Sequence, residues 1–148
     1  YVEKEFNFDS YHMVGLSGGG WTTVVYSAID ERISKSFPVA GTMPIFLRYE
    51  TQNFGDYEQT LPELYRIANY LELYIMGSHG NERVQYQINN KYDPCCFSGN
   101  QSLSYEDFIQ TKLTNLGTGQ FFVIIDDSHE KHMISIQTIT YILEQLQK

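Results

Sequence analysis

The sequence is short of positive charge. Ten Lys and Arg stand against eighteen Asp and Glu, a formal net charge of −8. A partner held by neutralising its phosphates needs the opposite balance, so general nucleic-acid binding is disfavoured. Long apolar runs are also missing, and none approaches the roughly 20 residues of a membrane-spanning helix. Tyr1 to Asp9 contain no basic stretch leading into an apolar one, so no signal peptide is visible. Proline is scarce at 4 and glycine is ordinary at 11, which excludes collagen-like and low-complexity sequence. What is present is apolar: 42% hydrophobic residues over 148 positions can bury one sizeable core, against the pattern of disorder. The chain opens on Tyr rather than Met, and we read it as a processed or truncated piece of something longer.

There are two cysteines, and they are neighbours, Cys95 and Cys96. Adjacent Cα atoms lie about 3.8 Å apart, below the usual disulfide range of roughly 4.4–6.8 Å. A bond between them would close an eight-membered ring, a device with a redox role. The plainer expectation is a pair of buried or half-buried free thiols, because free cysteine is strongly drawn to the interior.

Hydrophobic patterning divides the chain into alternating strands and helices. Phe121–Ile125 is a continuous aromatic and β-branched run ending at Asp126-Asp127, as expected of a strand buried on both faces. Tyr11–Val14 is a shorter strand running into Gly15, and residues 36–41 form a third, weakened by Pro38. Leu71–Met76 and Val84–Ile88 alternate at period two and are expected as two more. Trp21, Val24, Val25, Ala28 and Ile29 make a helical stripe. Ser104 is expected to cap a helix running through Leu113, with Glu106 and Asp107 in its first turn. Leu61–Tyr70 reads as helical, with Pro62 tolerated in the first turn. A C-terminal helix carries Ile134, Ile136, Ile139, Ile142 and Leu143, with Ser135 near its start as cap. The alternation predicts one α/β unit with a mostly parallel sheet.

The chemistry concentrates at Gly15-Leu16-Ser17-Gly18-Gly19, a G-x-S-x-G placed after a strand and before a helix. That context is what a nucleophile elbow requires. The turn lifts the Ser17 hydroxyl above the sheet. Glycines two positions either side avoid collisions, and the helix starting at Gly18 aims free N–H groups where an oxyanion would form. Gly20 gives further room for close helix-to-strand approach. A plain Gly-rich phosphate cradle is the rival, but neither G-x-G-x-x-G nor G-K-[ST] is present in register.

Serine is a poor nucleophile at neutral pH and needs a base held by an acid. After Phe121–Ile125 comes Asp126-Asp127-Ser128-His129-Glu130-Lys131-His132, and then the final helix. His132, at the loop-to-helix junction, is the preferred base; His129, among charged neighbours, is the alternative. Asp93, which follows the Val84–Ile88 strand, is the preferred acid. Glu82 is the alternative, after Leu71–Met76 read as a strand. Asp126, Asp127, His129 and His132 read together as a metal cluster, but with no second cluster to support it we expect no metal. His12, inside a strand, is expected as a satisfied structural histidine, and nothing singles out Arg48, Arg66 or Arg83 as a carboxylate clamp.

With Ser17, Asp93 and His132 in this order on these elements, the chain resembles the α/β-hydrolase superfamily, on its esterase and lipase side. The resemblance implies a Ser-His-Asp hydrolase acting on a small ester, with the Gly18 N–H as one oxyanion donor and no cofactor or metal. Serine peptidases of the same fold share these features. The resemblance also implies that residues 1–148 are the C-terminal part of one such domain. The N-terminal strands, and the loop that carries the second oxyanion N–H, would then lie on a missing half needed for function. The segment Thr42 to Thr60, with Phe46, Leu47, Tyr49 and Phe54, stands where a lid would be inserted and is expected to shape substrate choice.

Overall fold

The structure is a computed structural model that describes residues 2–48 and 55–148. Tyr49 and Phe54 of the expected lid segment lie outside the described residues. A short helix α1 (Val2–Glu5) leads to β1 (Tyr11–Leu16), α2 (Gly18–Ile29) and β2 (Ile33–Val39). Then follow α3 (Pro62–Tyr65), α4 (Tyr70–Ser78), β3 (Val84–Asn90), α5 (Glu106–Leu116), β4 (Gln120–Asp126) and α6 (Ile136–Leu146). The four strands pair in parallel in the order β1-β2-β3-β4. In register, Leu16 lies opposite Val39, Val39 opposite Ile88, and Ile88 opposite Ile124. The C-terminal ends of all four strands therefore meet along one edge.

Helices cover both faces. On one, Val24 of α2, Tyr74 of α4, and Ile109 and Leu113 of α5 close over Phe121 and Val123 of β4. On the other, Ile142 of α6 packs over Phe37, Val39, Tyr86 and Ile88. Val24, Tyr74, Ile109 and Phe121 are fully buried; a large apolar side chain so placed contributes about 1.5–3 kcal/mol. All seven residues of β3 are buried. Its alternation is apolar side chains toward one helical layer and glutamines toward the other. There Gln85 Nε2 donates to Ser27 Oγ and Ser36 Oγ, and Gln87 Nε2 to the Thr42 carbonyl. The outer edge of β4 is closed by α5: Glu106 Oε1 accepts from Val123 N and Gln110 Oε1 from Phe121 N.

Several expectations are corrected. Residues 71–76 are helix, not strand. Asn69 Oδ1 accepts from the backbone N–H of Leu71 and Glu72, and Glu72 Oε2 accepts from Asn69 N, a complete capping box. The buried Tyr70, Leu73, Tyr74 and Gly77 keep helical spacing. The same box stops the expected 61–70 helix, which is one turn, Pro62–Tyr65, with Pro62 at its start as anticipated. Ser104 does not cap α5: its hydroxyl donates back to the Gln101 carbonyl inside a 3-10 turn, and α5 begins at Glu106. Ser135 does cap α6, accepting from Thr138 N. Ile136, Ile139 and Leu143 of α6 are exposed, because the stripe that is buried carries Thr138, Ile142 and Gln145 and the apolar arc of the helix is turned partly away from it. Cys95 and Cys96 are not free thiols; they are joined by a disulfide across Cα atoms 3.7 Å apart.

Candidate active site

Ser17 sits between the end of β1 and the start of α2 with φ 57° and ψ −124°. A non-glycine residue so far from the ordinary regions stores roughly 1–3 kcal/mol and persists only where its surroundings enforce it. They do so here. Ser17 N donates to the Val39 carbonyl at 3.0 Å and the Ser17 carbonyl accepts from Trp21 N at 3.0 Å. A Cβ on Gly15 would lie 2.1 Å from the Gly19 carbonyl oxygen and 2.6 Å from Thr23 Oγ1. One on Gly20 would lie 2.8 Å from the Val39 carbonyl oxygen. Gly19 is different: a Cβ there meets nothing within 4 Å, so the expectation of a collision on that side is corrected. The close approach is made one residue later, at Gly20.

Gly18 opens α2, whose first-turn N–H groups have no intrahelical acceptor. An Asp56 oxygen lies 3.0 Å from the position a Gly18 Cβ would take. The nucleophile turn therefore has a carboxylate at its border, which sequence reading missed.

Asp93 and His132 are brought together. His132 Nδ1 lies 2.8 Å from Asp93 Oδ2, and the Asp93 side chain is fully buried. The other donors to this carboxylate are Asn90 Nδ2 at 3.2 Å on Oδ2, and Cys95 N at 2.8 Å and Cys96 N at 3.1 Å on Oδ1. A carboxylate only accepts, so Nδ1 carries the imidazole proton and Nε2 holds the lone pair. Nε2 has no hydrogen-bond partner among the described residues. No hydrogen bond joins it to Ser17 Oγ. β1 and β4 are three strand spacings apart, roughly 14 Å, so a histidine carried by the 127–135 loop reaches Ser17 only by crossing the ends of the intervening strands.

Two anchors fix the histidine loop. Asn90, fully buried at the end of β3, also donates from Nδ2 to the Met133 carbonyl at 2.9 Å and the Lys131 carbonyl at 3.5 Å, the residues either side of His132. Asp126, the last residue of β4, holds the loop's two ends. Oδ1 accepts from Ser128 N and Oγ, and Oδ2 accepts from Ser135 Oγ and Thr138 Oγ1. Burial opposes ionisation of Asp126, but the hydrogen bonds from Ser128, Ser135 and Thr138 outweigh it and hold the carboxyl well below the usual range. Asn90 was missed in the sequence, where it reads as an ordinary strand-end polar residue.

The alternatives separate on geometry. Glu82 lies just before β3, at the strand starts and so at the opposite edge of the sheet from Ser17. The reason for its candidacy disappears once residues 71–76 are a helix. His129 Nδ1 accepts from Lys131 N at 3.1 Å, while its Nε2 faces Asp126 Oδ2 at 3.5 Å. Its proton thus points to a carboxylate, and it has no lone pair turned to a substrate. His12 lies between Ser10 Oγ and Ser34 Oγ. Arg83 is spent on backbone carbonyls, including Ile33, Met76 and His79. Arg48 is bound to Met43 and Gln59 and stacks over the Tyr70 and Phe97 rings. In the lid segment Phe46 is exposed, while Leu47 packs toward the core.

No family model matches the sequence, and no curated protein does either. Solved structures do. An acylaminoacyl peptidase of Pyrococcus horikoshii is 16% identical with a TM-score of 0.61, over 97% of this chain and 25% of that one. An acylaminoacyl peptidase in complex with Z-Gly-Gly-Phe-chloromethyl ketone is 17% identical with a TM-score of 0.62. The fold is that of the α/β-hydrolases. Est1E of Butyrivibrio proteoclasticus, solved also with ferulic acid bound, carries it at 11% identity and a TM-score of 0.58, over 99% of this chain and 66% of that one. The chain thus spans a quarter of the matched peptidases and about two thirds of Est1E.

Proposed function

We propose that the protein is a serine hydrolase of carboxylic esters, with Ser17 as nucleophile, His132 as base and Asp93 as the acid that orients it. One observation carries this reading. An imidazole held by a buried carboxylate through Nδ1, with a buried Nε2 that has no partner among the described residues, stands on the same strand-end edge as a serine in elbow geometry. Ser17 Oγ attacks the acyl carbon while His132 Nε2 takes its proton, and the Gly18 N–H meets the developing oxyanion. His132 then gives the proton to the departing alcohol. A water molecule, deprotonated by the same nitrogen, releases the acid and restores Ser17. Asp93 keeps the imidazole in the productive tautomer throughout.

The likeness to acylaminoacyl peptidases favours a second reading, a peptidase acting through the same three residues. The test is turnover of short-chain aryl esters and of peptide amides by the intact protein. Ester turnover lost in both Ser17→Ala and His132→Ala supports the first reading. Amide turnover with the same dependence supports the second, and activity untouched by either substitution contradicts both. The remaining reading, a hydrolase-like scaffold that only binds, requires no turnover at all.

The missing-half expectation also stands as a proposal. β1 is an edge of the described sheet, where further strands would pair, and Val14 on it is 44% exposed, as expected of a sheet face left uncovered. Full ester turnover by the 148-residue segment as a folded monomer would contradict it.

A further inference from the structure

The Cys95–Cys96 disulfide stands beside the Asp93–His132 pair, and hydrolysis has no use for it. We propose that reduction of this disulfide opens a binding site for one soft divalent cation, such as zinc, formed by the two thiolates and His132. One ligand atom each from Cys95, Cys96 and His132 already lie within 4.8 Å of one another. A tetrahedral zinc with sulfur at about 2.3 Å and nitrogen at about 2.0–2.1 Å spaces its donors roughly 3.5–3.8 Å apart. Small side-chain movements therefore suffice once the sulfurs part.

The surroundings are already those of a metal site. Cys95 N and Cys96 N are both fixed on Asp93 Oδ1, so the dipeptide is held near the imidazole by its backbone and not by the sulfur bond alone. His132 Nδ1 is held by Asp93 Oδ2, the carboxylate–histidine arrangement that orients a metal-binding imidazole. Nε2 is then the ring nitrogen left for a cation, and it has no partner among the described residues. Cys95 is exposed and Cys96 half-buried, so a reductant can reach the sulfurs, while His132 Nε2 is itself buried and is reached by the ion only once the sulfurs part.

The chemistry balances with a dithiol as reductant. It attacks one sulfur, closes its own disulfide, and leaves two thiols carrying the two electrons and two protons it gave up. On binding the cation, both thiols release their protons to solvent. The third ligand is the nitrogen that Ser17 would need, so the loaded form should not hydrolyse esters. That consequence rests on the reading of His132 as the base; the binding step does not.

Cobalt titration tests the site directly. The intact protein is reduced with dithiothreitol, desalted without oxygen and titrated with Co²⁺, reading the thiolate-to-cobalt charge-transfer band. The expected result is a band saturating at one Co²⁺ per chain, absent from the oxidised protein and from the Cys95→Ser/Cys96→Ser variant. His132→Ala should weaken binding at least about tenfold. Circular dichroism of each variant shows whether it is folded, and Cys95→Ser alone provides a milder second variant that should lower the band. No reduction-dependent band, or one unaffected by His132→Ala, would overturn the proposal. Ester turnover measured alongside tells the two readings apart, since a cobalt site in a protein inactive before reduction defeats only the hydrolase.

Discussion

Replacing Asp93 by Asn tests the acid's role with almost no change in shape. The two oxygens of Asp93 do different work: Oδ1 accepts from the Cys95 and Cys96 N–H groups, and Oδ2 from His132 and Asn90. An asparagine keeps its carbonyl oxygen toward the two backbone N–H groups, since its amide group there would face two donors. The amide then points at His132 and donates to Nδ1. The imidazole proton is driven to Nε2, the atom that must receive the serine proton. A wrong tautomer of this kind lowers kcat by about 10⁴, roughly 5.5 kcal/mol of transition-state stabilisation. KM should change little, because no group that touches the ester is altered. The same amide also faces the Asn90 Nδ2 donor, so stability should fall by about 1.5–3 kcal/mol, the worth of a hydrogen bond to a charged group. Initial rates on an aryl ester give kcat and KM, and a urea titration gives the stability. A folded Asp93→Asn protein with kcat within tenfold of the parent would refute the argument.

Asn90→Ala should release the carbonyls on either side of His132 and cut kcat roughly 10–100-fold, the scale of a misplacement of about 1 Å. KM should hardly move, and an unchanged kcat would show that Asn90 positions nothing. At the elbow, Gly15→Ala should fail to fold or lose several kcal/mol on the order of an overpacked core, whereas Gly19→Ala should stay within about 1 kcal/mol; urea midpoints for the pair decide. Asp126 bears on pH. Its carboxyl is held below its unfolded value of about 3.9, so its stabilisation is fully present above that value and is lost as pH falls toward the folded one. Asp126→Asn should therefore be less stable at neutral pH and lose less on acidification, seen as a flatter urea midpoint between about pH 6 and pH 3.

The parts of the fold legible in the sequence are those written in local pattern. The turn at Ser17, the β4 strand and the Ser135 cap each depend on a few neighbouring residues, and each forms where expected, although Phe122, Ile124 and Ile125 of β4 are half-buried and not enclosed on both faces. Residues 71–76 misled because Leu71, Leu73 and Ile75 alternate, while the stronger signal was Asn69 with Glu72 three residues on. That pair is a capping box, and it outweighs a period-two pattern over six residues. Asn90 and Asp56 were not legible, because each is defined by a partner distant in the chain, and the room beside Gly19 was not, because it is the absence of any such partner. Asn90 acts on carbonyls 41 and 43 residues away. The disulfide runs against the usual Cα spacing, and the adjacency of Cys95 and Cys96 that allows it was outweighed by the burial tendency of free cysteine.

Treatment of the intact protein with a fluorophosphonate, followed by mass spectrometry of the modified peptide, tests the central claim most directly. The reagent phosphonylates a serine only where a base has activated it. The account predicts one adduct, on Ser17, lost in Ser17→Ala and strongly slowed in His132→Ala. An unlabelled Ser17 in the intact, folded protein would contradict it.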